Sequence, residues 1–513
     1  MGGGRCDAHS TRMETVMDEP SLGSRGVPRS LAARVEAVTS RPDPGHSLRH
    51  RSLRLAGTAA LSVGIQGPVA GVIVGPAVLA SLVGGSGALA YLLGLVAMSF
   101  VAYAFVIFSR SFNSAGSVYA FNGAALGAGY GFVSAWILWL VYVSFAAGVY
   151  ASTADIAQNL LAMMGIRVAW VPLALLGFLL TMLLAYRSIR FSTAVIFALE
   201  GLAVVMLAIV GIAVLGHGAR SHAFSTAPFG LHGIALGVLG LGVVNAFSAF
   251  SGFEGAATLG EEARRTTRTI PAAIALSLAG SAAVYITFTW IADNAFPNPA
   301  ALAASPAPFV HLASVDVGSA MGYAVNAAGV ISAFGAQLAC VNAANRLLYA
   351  LGREVEPKGS TARRFLTGTH PRFGSPVGAL AVTGLLSLAG LLAFAGEHTA
   401  IQALTIILEY GAYLIIVAYL LTVIAAMAWV WRTRRRPLPL VILTLGVGAL
   451  GYVLYDTFIP FPAAPFSYVV IAAGLSVMGG IVLWMIPQVR RRLAESELLR
   501  ATRTSPESAT VRM

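Results

Sequence analysis

The stretch GIQGPVAG, Gly64 to Gly71, interrupts an apolar run that is otherwise long enough to cross a membrane. Three glycines and a proline weaken a helix there, and Pro68 removes a backbone donor that hydrocarbon cannot replace with water. A helix break at membrane depth is tolerated only where protein or a cavity surrounds it. The reading of Gly64 to Gly71 therefore depends on what else the chain places around it.

Composition identifies the solvent. The 513 residues are 57% hydrophobic and 11% charged, and the mean hydropathy is +0.78, whereas soluble domains carry about 25% charged residues. The chain reads as an integral membrane protein. Apolar windows of bilayer length recur twelve times: Leu55 to Val83, Ala88 to Phe108, Gly131 to Ser152, Ala169 to Ala185, Phe191 to Leu215, Ile234 to Thr258, Ile270 to Ala292, Ser319 to Leu351, Val377 to Ala395, Ala400 to Trp431, Leu438 to Tyr455 and Phe466 to Ile486. Such windows build a bundle of about twelve transmembrane helices and exclude a barrel, whose strands are short and alternating.

With the amino terminus inside, the cytoplasmic connections hold Arg110, Arg187, Arg190, Arg264, Arg265, Arg268, Arg346 to Arg372, Arg432 to Arg436 and Arg490 to Arg492, while Arg167 and Arg220 fall outside. This is the positive-inside asymmetry. It explains the net charge of +12 by proximity to anionic lipid, with no nucleic acid required. Residues 1–50 are polar and rich in Arg, Pro and Gly, with no signal-peptide apolar run, and read as a disordered cytoplasmic tail. The chain can start at Met13 or Met17, and Cys6 and Cys340 are poor disulfide partners.

A second interruption lies in the sixth window, where NAFSAFSGFE, Asn245 to Glu254, brings small and hydroxyl residues, a glycine and an acid to membrane depth. Windows one and six are corresponding members of two five-span halves, 55–215 and 234–431, in a core of 51–431. Accessory helices then fill 432–489 and a tail 490–513. Paired interruptions in matching positions point to the substrate site of an inverted-repeat transporter. Pro68 suits the first turn of a new half-helix and Gly67 the position before it. The amides of Val69, Ala70 and Gly71 are then free at the positive end of a helix dipole, an anion socket. The sixth span's first half ends near Ala249 to Ser251, whose carbonyls suit a cation. The bland reading is that these glycines only permit close helix packing.

The run FSAFSGFEGAATLGEEARRTTRTIPAAI, Phe247 to Ile274, resembles the sixth-span signature of the amino acid-polyamine-organocation superfamily. SAGSVYAFNGAALG, Ser114 to Gly127, resembles that family's entry to the third span, and NRLLYALGRE, Asn345 to Glu354, with HPRFGSPVGAL resembles its connection between spans eight and nine. The resemblance implies a LeuT-type fold with five-plus-five inverted repeats and broken helices 1 and 6. It also implies a carrier of amino acids or related amines across the cytoplasmic membrane by alternating access, with both termini inside. On that reading Gln66, Gly67, Val69, Ala70, Gly71, Ala249, Phe250, Ser251 and Gly252 bind substrate. Many relatives carry a small hydroxyl residue where this chain has Gln66, which points away from an ordinary α-amino acid and toward an amide, polyamine or modified amine.

Ionisable groups inside spans are functional by default, and three acids fall within the windows: Glu200, Glu254 and Glu409. By resemblance, Glu200 falls where proton-coupled relatives carry a lysine, and a desolvated carboxyl there can bind and release a proton; a neutral structural hydrogen bond is the alternative. Glu254 reads as a gate that responds to protonation or as a cap on the second half-helix. Glu409, with Tyr410 and Tyr413, reads as cavity lining or a structural pair. Phe250 lies within the break and is the expected gate, among Phe247, Phe253, Trp136, Trp139 and Tyr142 as further aromatics. Asn326, Gln337 and Asn342 offer ion ligands or interhelical hydrogen bonds. Protons and the lipid bilayer are the expected partners besides the small-molecule substrate, and oligomeric state stays open.

Other classes lack their chemistry. All nine histidines are expected in loops or tails, there is no H-E-x-x-H or phosphate-binding loop, and no cofactor or metal is implied. An exchanger, a binding-only sensor on the same scaffold and a channel remain as alternatives.

Overall fold

The computed structural model describes residues 52–112, 117–217, 224–231, 234–357, 359–433, 437–459 and 461–495. The tail readings, Cys6, Met13, Met17 and the start of the Ser114 loop lie outside these residues. The described chain is helical, with two isolated bridges and no strand.

Gly67 ends the first helix in a left-handed conformation, φ +51°, and Pro68 opens the next at its first position. α1 is Leu55–Gln66 and α2 is Pro68–Val83, so the break falls where the sequence places it. Gly64 has a different role. A Cβ there would meet Ile196 Cγ2 at 2.6 Å and Ala339 Cβ at 2.9 Å, so this glycine lets α1 pack closely on its neighbours.

The remaining helices are α3 Gly87–Ser109, α4 Val118–Leu126, α5 Ala128–Met163, α6 Trp170–Ala185, α7 Ile189–His217, α8 Leu236–Ala249, α9 Thr266–Ala295, α10 Pro299–Ala303, α11 Pro308–Asp316, α12 Ser319–Val355, α13 Thr361–Thr367, α14 Val377–Leu392, α15 Ala400–Thr433, α16 Pro437–Phe458, α17 Phe466–Met485 and α18 Pro487–Glu495. Among the described residues, ten segments are long and apolar enough to span a membrane, counting α1 with α2 and Leu236–Leu259 as one each. This is a multi-pass membrane protein. The other two windows, α6 and α14, have 16 residues each, about 24 Å of helix against about 30 Å of hydrocarbon.

Burial ranks the helices. The apolar windows of α5 and α12 are 72% buried, those of α16 and α17 only 22% and 17%. α5 and α12 form the centre, packed on each other and on α15, α7 and α1; α16 and α17 stand at the periphery. Helices also outrun the apolar windows, because i→i−4 hydrogen bonding continues past the last apolar residue. Asp155 therefore lies in α5, Asp293 in α9 and Asp456 in α16, acids that the window reading leaves out. His311 sits on α11 against Phe296 and His217 closes α7, which corrects the placing of every histidine in loops or tails.

Candidate functional site

Two chain breaks meet in the centre of this bundle. α8 ends at Ala249, Phe250 and Ser251 unwind, and Gly252 adopts φ +108°. The chain then winds into a 3₁₀ segment, Phe253–Leu259, where the sequence implies a second half-helix. Ser62 on α1 holds this segment from both sides: its hydroxyl donates to the Phe253 carbonyl at 2.7 Å and accepts from the Ala256 amide at 2.8 Å.

Gln66 bridges the breaks directly. Its Nε2 donates to the Phe250 carbonyl at 3.0 Å, and its Oε1 accepts from Ser281 on α9 at 2.8 Å. Tyr285, also on α9, donates to the Gln66 carbonyl at 2.9 Å. The expected anion socket is therefore mostly filled from within. The Gly71 amide donates to the Gly67 carbonyl at 3.0 Å, because the helix resumes at once. The Ala70 amide donates to Ser332 Oγ on α12 at 3.1 Å. The expectation of three free amides is corrected: two of them have internal partners.

Ser332 in turn donates to Glu200 Oε1 at 2.8 Å, so a continuous path runs from the α7 carboxyl through one hydroxyl to the first turn of α2. Glu200 is 4% exposed, and its Oε2 has no hydrogen-bond partner. Glu254 is fully engaged. Tyr142 donates to Oε1 at 2.9 Å, Tyr419 to Oε2 at 2.6 Å, and the Gly252 amide to Oε2 at 3.1 Å. This joins α5 and α15 to the second break and includes the reach-back to a preceding amide that a capping side chain makes.

Phe250 is completely buried in an aromatic group. Tyr91 and Tyr285 stack with centroids 5.0 Å apart, and Phe250 meets them edge-on at 6.1 and 5.5 Å. The group lies over α2: a Cβ on Gly71 would come 2.8 Å from Tyr285 Cε1, and one on Gly75 2.8 Å from Tyr91 Oη. Trp136 and Trp139 belong elsewhere, donating to the Ser476 carbonyl and to Thr383 Oγ1.

The polar residues of α12 do not converge as an ion site. Gln337 donates to Gly177 and Thr181 and accepts from Thr153, Asn326 meets Met163 Sδ, and Asn342 donates to the Leu338 carbonyl. Glu409 pairs with Tyr413 one turn along α15. A cavity of about 530 Å³ lies away from the breaks, among α5, α14, α15 and α17, with apolar walls that include Leu140, Leu386 and Val469.

One more cluster has no apolar-window signal. Leu53 pairs as an isolated bridge with Ala263, just past the 3₁₀ segment. Beside it Arg346, 1% exposed, donates from Nε to Glu262 Oε2 at 2.7 Å and from Nη1 to the Asn342 carbonyl at 3.0 Å. Arg353 grips both oxygens of Glu261 at 2.7 and 3.1 Å. These contacts close the end of the bundle below the breaks. Their residues lie in GEEARR and NRLLYALGRE, two stretches that carry the family resemblance, and only the fold reveals that they meet.

A family model described as amino acid permease matches residues 53–488. Over 340 residues the chain is 25% identical to the methylthioribose transporter of Bacillus subtilis (strain 168), a match that covers 63% of this chain and 68% of that protein. It is 29% identical over 317 residues to the branched-chain amino acid permease BcaP of Lactococcus lactis subsp. cremoris (strain MG1363), covering 58% and 65%. It is 24% identical over 305 residues to the low-affinity putrescine importer PlaP of Escherichia coli (strain K12), covering 58% and 66%. These matches span about two thirds of each relative's length.

Proposed function

The chain belongs to the amino acid permease family of the amino acid-polyamine-organocation superfamily, and on that premise we propose that it carries amino acids or related amines across the cytoplasmic membrane by alternating access. It acts as a transporter rather than an enzyme. The bundle is a LeuT-type fold of twelve spans, two inverted five-span repeats over 55–215 and 234–431 followed by two accessory helices, with both termini cytoplasmic. The observation that carries this reading is the hydrogen bond from Gln66 to the Phe250 carbonyl, which joins the two breaks at the centre of the bundle.

The substrate site consists of Gln66, Gly67, Val69, Ala70 and Gly71 on one side and Ala249, Phe250, Ser251 and Gly252 on the other. Gln66 to Phe250 and Ala70 to Ser332 are the internal bonds that loading exchanges for bonds to substrate. Glu200 is the carboxyl that takes up and gives off the coupling proton. Glu254 acts as a gate: its protonation removes charge from a site built of three donors and so loosens the ties to α5 and α15.

Phe250 closes the site with Tyr91 and Tyr285. Phe250→Ala is expected to raise passive leak of substrate from loaded proteoliposomes at least about tenfold over Phe247→Ala, a loss of about 1.4 kcal/mol of barrier. Equal leak in the two variants contradicts the gate assignment.

The proposal is tested by uptake of radiolabelled amino acids and amines into proteoliposomes with a proton gradient of either sign. The expected result is gradient-driven flux that Glu200→Gln uncouples while facilitated equilibration persists. Flux insensitive to the gradient, or coupling retained in Glu200→Gln, contradicts the proton assignment. Uptake that requires an internal substrate pool identifies the cycle as substrate exchange.

A further inference from the structure

Four charged side chains are buried among the described residues: Glu200, Glu254, Glu262 and Arg346. Three are held by an opposite charge or by several donors. Arg346 and Glu262 hold each other at 2.7 Å, and Glu254 receives two tyrosine hydroxyls and an amide. Glu262 Oε1 also lacks a hydrogen-bond partner, but its carboxyl has Arg346; Glu200, with Ser332 on Oε1 and nothing on Oε2, has neither a second donor nor a cation. A buried carboxylate oxygen left bare is costly unless a proton or a cation occupies it.

Among the described residues the neighbourhood offers no resident cation. Tyr285 on α9 lies within electrostatic range of Glu200, and its hydroxyl is spent on the Gln66 carbonyl. α1, α2 and α6 carry no titratable side chain. On α12, Cys340 is about 12 Å along the axis from Ser332 and Arg346 about 21 Å, and Tyr323 is tied to the Met163 carbonyl. On α11, His311 lies against Phe296 with the rings tilted by 40°, and Asp316 closes that helix. On α9, Asp293 accepts from the Ala88 amide. On α7 itself, Arg190 lies about 15 Å and His217 about 25 Å along the axis.

Apart from the Val69 amide, the groups that would hold a substrate carboxylate are engaged within the protein, and a carboxylate has to displace those bonds where an ammonium on Glu200 does not. The Ala70 amide goes to Ser332, the Gly71 amide to the Gly67 carbonyl, and the Gln66 amide to the Phe250 carbonyl. Facing the same turn of α2 is a pair of stacked tyrosines with a phenylalanine edge-on, surfaces that attract an ammonium. The site is short of a cation and supplied with anion acceptors of its own.

We infer that Glu200 Oε2 is the seat of a substrate ammonium, that the substrate is an organic amine recognised without a carboxylate, and that ammonium and proton occupy Glu200 by turns. The inference rests on the reading of this site as the substrate site. As the ammonium arrives, the Glu200 O–H bond breaks and the proton leaves to the aqueous side from which the amine came; no bond in the amine changes. On the opposite side the reverse exchange occurs. One proton then moves against each amine, and for a monoamine the cycle is electroneutral. Ser332 donates to Glu200 while accepting from Ala70, so it relays the state of the carboxyl to the first turn of α2.

The test is calorimetric binding of putrescine, and separately of leucine, to the purified full chain in lipid nanodiscs, in two buffers of different ionisation enthalpy. The expected result is about one proton released per putrescine bound at low pH, with a Kd that rises about tenfold per pH unit lowered. Glu200→Gln is expected to abolish proton release and weaken putrescine about 30-fold or more, with thermal stability retained. Glu200→Asp is expected to keep proton release at lower affinity, and Ser332→Ala to keep it while shifting its pH dependence. Putrescine bound without proton release, or equally well by Glu200→Gln, overturns the inference. Leucine bound undiminished by Glu200→Gln, with putrescine unbound, overturns it and leaves the transporter reading standing. Failure to bind either compound counts against both.

Discussion

Arg346→Met is expected to lower the unfolding free energy by about 3–5 kcal/mol, because it strands a buried carboxylate. Arg346 and Glu262 are 1% exposed each, and the guanidinium also satisfies the carbonyl and the side-chain oxygen of Asn342. A methionine fills the volume and offers Glu262 nothing. The double variant Glu262→Leu with Arg346→Met is expected to recover most of the loss, since removing both charges together removes the stranded one. Arg346→Lys is expected to fall between, as one ammonium lacks the fork that serves Glu262 and Asn342 at once. Chemical unfolding in detergent measures all three. A single variant as stable as the wild type contradicts the pair as the lock at this end of the bundle.

Gly252→Ala is expected to abolish transport while Gly474→Ala leaves it unchanged. Gly252 has φ +108°, and a Cβ there would strike Ile65 Cγ2 and stand 2.9 Å from Ile65 Cβ and 3.3 Å from the Gln66 amide nitrogen. The methyl therefore pushes one break off the other. Overpacking costs about 1–3 kcal/mol, and left-handed backbone about 1–2 kcal/mol for a residue with a Cβ. About 3 kcal/mol borne by the conformation in which the two breaks touch lowers its population about 150-fold. Gly474, on the peripheral α17, meets nothing within 4 Å and serves as the control. Equal uptake by the two variants contradicts the contact between breaks as the site.

The first break was legible because Gly-Pro chemistry is local: proline dictates a helix start and glycine the left-handed residue before it, and both occur at Gly67 and Pro68. The end of α8 at Ala249 was legible for a similar reason, in the run of small and hydroxyl residues. The 3₁₀ form of Phe253–Leu259 was not, since it depends on Ser62, nearly two hundred residues away, bonding Phe253 and Ala256. The same holds for Ser332, Ser281, Tyr91 and Tyr285. Each is an ordinary residue of an apolar helix until packing brings it to the breaks. Tyr142 was noted among the aromatics, but its hydroxyl partner Glu254 emerges only when α5 meets the second break. Span counting came close because bilayer length is a one-dimensional property. It missed Asp155, Asp293 and Asp456 because helices continue past the apolar window.

The proposed binding of substrate between the two breaks is tested by thiol labelling. A single cysteine at Ala249, the last residue of α8, in a chain with Cys6→Ser and Cys340→Ala, can be labelled with a small thiol reagent in proteoliposomes that retain uptake. Labelling is expected to slow at least about tenfold with saturating transported substrate, and not with a compound that is not carried. Labelling at the same rate with and without transported substrate would place the site elsewhere and contradict the proposed binding.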